Sequence, residues 1–260
     1  MIRVVAVVPA RMGSSRFPGK PLAPILGRPM LEHVVRRAGM CDRLDAVHVA
    51  TCDDEIRLAA EALGVRAIMT SPAHERASDR VAEAAGQLDA DIVVMIQGDE
   101  PMIVPSMIDA ALAPMLADRS IGCVNLAHRI DRYEDYVDPN TIKVVSDVNG
   151  DAMYFSRAPI PLGDFTGTDG VPRFKQVCVI PFRRAFLLEF ARLAPTPLER
   201  AESIDMLRAL EHGRRVRIVV TDVETHAVDT PGDLRLVERL MRDDPLIARY
   251  DQRAHQAVPA

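Results

Sequence analysis

The chain has 260 residues, 27% of them charged and 48% hydrophobic, a balance that supports a globular core and excludes disordered, collagen-like and fibrous classes. Formal charge is 32 − 37 = −5 with no basic block at either end, so no nucleic-acid partner is expected and any bound anion needs a locally basic site. Cys41, Cys52, Cys123 and Cys178 are scattered without a CxxC pair, which points away from a zinc knuckle or disulfide framework and fits a reducing cytoplasm.

The opening run MIRVVAVV stops at Pro9 and enters a basic loop, so it reads as a buried strand rather than a signal segment. No other apolar stretch approaches the roughly 20 residues of a membrane helix, and no membrane partner is expected. Strands are predicted at Arg3–Val8, Ala46–Ala50, Arg66–Met69 and Ile92–Ile96, alternating with helices at Pro29–Ala38, Glu55–Leu63, Ser78–Leu88 and Pro105–Leu116. This order predicts an α/β fold with a doubly wound, mainly parallel, Rossmann-like nucleotide-binding sheet, and it places ligands at the carboxyl ends of strands.

From Gly122 to Phe182 the pattern turns β-rich. Strands are expected at Gly122–Ala127, Thr141–Ser146 and Gln176–Pro181, separated by turn-rich segments. Helices at Arg184–Leu193 and Leu198–Glu211, the latter closed by Gly213, a strand at Val216–Thr221 and a helix opening at Thr230-Pro231 complete the chain. The expected organisation is an α/β core over 1–121 and 214–245, an inserted β-rich subdomain over 122–213, and a tail over 246–260.

After the first strand, Pro9-Ala10-Arg11-Met12-Gly13-Ser14-Ser15-Arg16-Phe17-Pro18-Gly19-Lys20-Pro21 combines two glycines, two serines, two arginines and a lysine. Backbone N–H groups and cations in such a loop form an anion cradle. It is neither GxGxxG nor GxxxxGK[ST], which disfavours a nicotinamide dinucleotide and a P-loop. Lysine occurs only at Lys20, Lys143 and Lys175, so these three positions are candidates for a compact ammonium that arginine cannot replace.

The loop PARxxSxRxPGKPL resembles the activating loop of sugar nucleotidyltransferases. Ala50-Thr51 with Asp53-Asp54-Glu55-Ile56, Ser71 to Arg80, Gln97-Gly98-Asp99-Glu100-Pro101, Asp138-Pro139-Asn140 with Lys143, Tyr154 to Arg157, Pro197-Leu198-Glu199 and Val228-Asp229-Thr230-Pro231 narrow the resemblance to the 3-deoxy-manno-octulosonate (Kdo) cytidylyltransferases. It spans nearly the whole chain. It implies a CTP-dependent transfer of CMP to an acidic acceptor with release of pyrophosphate, Mg²⁺ held by Asp99 and Asp229, and a homodimer through the β-rich region. Hard carboxylate ligands and fixed cations are what phosphoryl transfer demands.

On this resemblance Lys20, Arg11 and Asp99 are the expected catalytic residues. Ala10, Arg11, Gly13, Ser14, Ser15, Arg16, Lys20, Thr51, Ser78, Arg80 and Gln97 are expected around the nucleotide. Gln97, Arg157, Lys175, Gln176 and Asp205 are expected around the acceptor. For Asp229, the VDTPGD context leaves a helix N-cap as the alternative.

The acceptor side departs from the family. Where the family reads approximately HxGIYGYR, the chain has Gln176-Val177-Cys178-Val179-Ile180-Pro181-Phe182-Arg183, and a Glu-Gln pair has become Asp205-Met206. A site built to bond hydroxyls loses affinity when those groups are removed. These departures favour a small acidic acceptor such as the phosphonate phosphonoformate, with Kdo as the alternative acceptor and a non-catalytic nucleotide-binding regulator as the non-enzymatic one.

Overall fold

In the computed structural model the described residues are 2–13, 16–165 and 170–254. Strand β1 (Val4–Pro9) is buried along its whole length, the pattern of a strand covered on both faces. A 3₁₀ turn at Lys20–Leu22 and a tight hairpin of β2 (Pro24–Ile25) and β3 (Arg28–Pro29) lead into α1 (Met30–Ala38). Then follow β4 (Ala46–Thr51), α2 (Asp54–Ala62), β5 (Arg66–Met69), α3 (Ala77–Gly86), β6 (Ile92–Ile96) and α4 (Pro105–Ala117). These strands form a sheet with β11 (Val179–Arg183) in the order β11-β6-β1-β4-β5, with β6, β1, β4 and β5 parallel and β11 antiparallel at the edge. The expected mainly parallel α/β sheet is present, and its strand ends are those that the alternation predicted to within about two residues.

A second sheet contains β7 (Val124–Arg129), β8 (Lys143–Ser146), β9 (Ala152–Ser156), β10 (Phe174–Val177) and β12 (Arg217–Thr221), in the order β12-β7-β10-β8-β9. Only the β12–β7 pair is parallel. The two sheets trade strands relative to the expected stretches: β11 joins the first and β12 the second.

Two expected elements are broken. The single strand Gln176–Pro181 is two strands in different sheets: Val177 pairs with Leu126 of β7, while Val179 pairs with Ile96 of β6. The run reads as one apolar strand because Val177 and Val179 pack in one core cluster while Ile180 and Phe182 pack in another. The single helix Leu198–Glu211 is α7 (Pro197–Glu202) and α8 (Met206–Glu211), separated at Ser203, which adopts the left-handed φ of 56°. Gly213, at φ 70°, stands just past α8 in the conformation that glycine adopts without steric penalty.

The short helix α5 (Tyr133–Val137) and strand β9 are additional elements, and α6 (Arg184–Phe190) and α9 (Pro231–Met241) complete the series with α10 (Pro245–Ala254). The last lies in the stretch given above only as a tail, and it packs against α1. Tyr250 is 1% exposed and hydrogen-bonds His33 Nδ1 at 2.7 Å, and buried Arg37 donates to Asp244 at 2.5 Å.

Candidate active site

The carboxyl ends of β1 and β6 meet at Gly98. A Cβ there would lie 3.0 Å from the Pro9 carbonyl oxygen, so the chain can pass this close to β1 only with glycine. The basic loop is drawn back over the sheet by Met12 N–H donating to Asp53 at 2.8 Å and Gly19 N–H donating to Met12 O at 2.9 Å. Gly19 takes φ 75°, which sets the turn that delivers Lys20.

Lys20 Nζ donates to Asp99 Oδ2 at 2.7 Å, to the Val228 carbonyl at 3.0 Å and to Asp229 Oδ1 at 3.2 Å. Burial disfavours its charge, but Asp99 and then Asp229 outweigh that, so the ammonium is held above its usual range. Arg16 completes the arrangement, donating to Asp229 Oδ1 at 2.9 Å and to Asn140 Oδ1 at 2.7 Å. The helix-cap alternative for Asp229 is answered here: Thr230 caps α9 with Asp233 in a reciprocal capping box, while the Asp229 side chain turns to Lys20 and Arg16. A backbone bond from Val228 N–H to Asp99 O at 2.9 Å locks the two segments together.

Two clefts adjoin at this point. The first, about 260 Å³, takes Ala10, Arg11, Arg16, Lys20, Arg80, Gln97, Asp99 and Asp229 in its walls. The second, about 590 Å³, shares Arg11, Arg16, Gln97, Asp99 and Asp229 with it and adds Arg157, Lys175, Gln176 and Asp205. Thus most residues singled out in the sequence converge on one region. Gly13, Thr51 and Ser78 line neither cleft among the described residues, and Ser14 and Ser15 lie outside the described residues. Thr51 is fully buried, its hydroxyl accepting from Asp53 N–H at 3.1 Å. Buried Ser78 donates to Asp205 Oδ2 at 2.6 Å.

Several side chains in the second cleft hold the protein itself. Arg157 donates to the carbonyls of Glu202 (2.6 Å) and Pro139 (2.9 Å). Gln176 Nε2 donates to Asn125 Oδ1 at 2.6 Å. Burial raises the Asp205 carboxyl, countered by the Ser78 hydroxyl. Lys143, fully buried, gives its three protons to the carbonyls of Thr141 (2.5 Å), Arg157 (2.6 Å) and Asp138 (2.8 Å), a use of a compact ammonium that arginine cannot reproduce. Glu199 is likewise internal: Arg208 donates to it at 2.6 and 2.9 Å and to Asp79 at 2.8 Å, with its guanidinium 4.7 Å from the Phe190 ring centre.

Other residues of the cleft walls were given no catalytic or binding role in the sequence reading, Glu100, His74 and Arg76 among them. Glu100 is 5% exposed, hydrogen-bonded by Thr225, and lines the second cleft; burial and then the adjacent Asp99 push its carboxyl up to about 7. Its signal was the charged run that follows a buried strand in QGDEP. His74, in the wall of the first cleft, is oriented by Glu83 at 2.5 Å. Arg76 lines both clefts, and no local pattern marks it apart from its place before a helix.

The comparisons with known proteins agree with this geometry. A family model described as cytidylyltransferase matches residues 5–218. A 3-deoxy-manno-octulosonate cytidylyltransferase of Geobacter metallireducens is 48% identical over 251 residues, 93% of this chain and 99% of the relative. The protein of that name from Myxococcus xanthus is 48% identical over 241 residues, 92% of this chain and 97% of the relative. Among solved structures, CMP:2-keto-3-deoxy-manno-octonic acid synthetase complexed with CTP matches with a TM-score of 0.86 and 38% identity, over 92% of this chain and 98% of that one. With a matching family model across most of its length and a relative 48% identical over 93% of it, the chain belongs to the cytidylyltransferase family.

Proposed function

We propose that this cytidylyltransferase couples CMP from CTP to Kdo. The observation that carries the reading is the single ammonium of Lys20, in the wall of the first cleft, bridging Asp99 and Asp229, which line both clefts. One cleft then takes the nucleotide and the other the acceptor. An acceptor oxygen attacks the α-phosphorus, a new O–P bond forms, the bond to the β-phosphate breaks with its electron pair leaving on pyrophosphate, and the acceptor hydroxyl's proton passes to solvent. Lys20, Arg11 and Arg16 offset the charge of the triphosphate and the departing pyrophosphate, and Gln97 faces both substrates. Such fixed charges act without reorganisation when the barrier is crossed.

Asp99 and Asp229 suit Mg²⁺, a hard cation that takes carboxylate oxygens and completes its shell with phosphate and water. Their oxygens already converge on one cation, the Lys20 ammonium. Among the described residues no cluster of three or more acidic, His or Cys side chains is present, so the protein would supply two ligands and the nucleotide the rest. When bound, the ion would neutralise phosphate charge.

The phosphonate preference gives way to the sugar acid. The names of relatives 48% identical over more than nine-tenths of the chain favour Kdo. Two of the departures that suggested otherwise, Ile180 and Met206, are 2% and 1% exposed and pack in a hydrophobic core cluster beneath the second cleft, where they form an apolar part of its wall. A cleft of about 590 Å³ with Asn140, Thr141, Thr225 and His226 in its walls also offers more room and more hydroxyl partners than a small phosphonate uses. In the same reading a second copy of the chain covers the apolar side chains that the second sheet leaves open, among them Met153 at 64% and Val220 at 47% exposure.

The test is pyrophosphate release with each of the four ribonucleoside triphosphates against Kdo, sialic-type acids and phosphonoformate. Turnover that requires CTP and Kdo is expected. Turnover with phosphonoformate and none with Kdo would return the acceptor to the phosphonate class.

A further inference from the structure

Where the two clefts join, Arg76 occupies an unusual electrostatic position. It sits in extended backbone (φ −100°, ψ 144°) immediately before α3, lines both clefts, and keeps 22% of its side chain exposed. Nη1 donates to the Ser203 hydroxyl at 2.7 Å, and Nη2 reaches the Glu199 carbonyl at 3.5 Å. Its Nε lies 3.7 Å from Asp205 Oδ1 and 3.9 Å from Glu199 Oε1, beyond hydrogen-bonding distance.

Both carboxylates have closer partners. Glu199 receives Arg208 at 2.6 and 2.9 Å, and Asp205 receives the Ser78 hydroxyl at 2.6 Å. The guanidinium carries five N–H donors in a planar fork, and the two long ion pairs leave part of that fork uncommitted. Four other cations of these walls are committed to the protein: Lys20 by two aspartates, Arg157 by loop carbonyls, Arg16 by Asn140 and Asp229, Arg80 by Thr70 at 2.5 Å, while Arg11 and Lys175 also face the clefts, Arg11 toward the triphosphate in the proposed reading.

We infer that Arg76 is a specificity-determining residue that receives the carboxylate of the acceptor at the junction of the two clefts. The inference rests on the proposed acid acceptor and deepens it. A planar fork matches a carboxylate in a bidentate pair, and its position at the junction brings the acceptor's acid group beside the nucleotide cleft, so that the attacking oxygen is held next to the α-phosphorus. Asp205 and Glu199 then orient the fork through their field without capping it.

The experiment compares wild type with Arg76→Met and Arg76→Lys in pyrophosphate release at saturating CTP, using Kdo and its 1-carboxamide as paired acceptors, with melting temperatures recorded for each protein. Wild type is expected to prefer the acid over the amide, and Arg76→Met to lose about ten- to a hundredfold of that preference. The KM for CTP should stay within about twofold, and Arg76→Lys should recover part of the loss. An acid-to-amide preference unchanged in a folded Arg76→Met protein would overturn the inference while leaving the acceptor reading intact. Absence of turnover by wild type with Kdo would overturn the acceptor reading and the inference together.

Discussion

The Ser78 hydroxyl donates to Asp205 Oδ2 at 2.6 Å across 127 residues of sequence, tying the N-terminal turn of α3 to the break between α7 and α8. The neighbouring pair of Arg208 with Asp79 and Glu199 runs in parallel with it. Nucleotide-side and acceptor-side walls therefore share one polar seam. Removing the hydroxyl in Ser78→Ala leaves the buried Asp205 carboxylate short of its best donor, a loss of about 1–3 kcal/mol. At roughly 2–4 °C per kcal/mol for a chain of this size, calorimetry should show a clear fall in melting temperature. An unchanged midpoint would mean that the seam carries no stability.

Lys20 is argued to act on charge that develops in the reaction. Lys20→Met and Asp99→Asn should each lower CTP-dependent pyrophosphate release by about a hundredfold or more, with circular dichroism spectra like that of wild type. Turnover within tenfold of wild type in either folded variant would count against the assignment of both residues.

Lys143 makes a different kind of prediction. Its ammonium satisfies three carbonyls at 2.5–2.8 Å from a fully buried position. Lys143→Met keeps the stem but orphans the three acceptors, so a loss of about 2–5 kcal/mol is expected. Arg157, whose carbonyl is one of the three, should be disturbed as well, raising the KM for the acceptor more than that for CTP. Denaturant titration and steady-state kinetics check the two parts separately.

The C-terminal helix should respond to acid. His33 bonds Tyr250 at 2.7 Å and the Ile25 carbonyl at 2.8 Å. Burial lowers its proton affinity, with nearby Arg37 and Arg28 in the same direction and Glu32 and the Ile25 bond opposing. Its folded value therefore lies below the ordinary 6.5. As pH falls through 6.5 the unfolded chain takes up the proton first, so stability is lost between 6.5 and the lower folded value. Melting temperatures between about pH 7.5 and 5.5 should drop more for wild type than for His33→Gln. Equal slopes would exclude His33 as a contributor.

Part of the reaction centre was legible locally: Asp99 follows the buried strand β6 in a charged run that packing does not explain, and Lys20 closes the basic loop after β1. The pairing of Asp99 with Asp229 came from the family resemblance, and the alternating core elements followed from apolar periodicity. Local pattern failed where one run serves two cores, as at Val177 to Phe182, and where a single left-handed residue, Ser203, breaks an otherwise helical stretch. Ser78 and Asp205 looked like separate ligand contacts, yet they bond each other. Long-range partnerships of this kind, like that of Tyr250 with His33, have no signature in a window of sequence.

The central claim is that Lys20, Asp99 and Asp229 form one centre that transfers CMP to a sugar acid. Detection of the product by phosphorus NMR, with CTP, Mg²⁺ and either Kdo or phosphonoformate, tests it most directly in wild type and Asp229→Asn. A new CMP phosphodiester with Kdo, at least about tenfold faster than any phosphonate product and lost in Asp229→Asn, is the predicted result. Equal or faster conversion of phosphonoformate, or undiminished product from the Asp229→Asn protein, would contradict it.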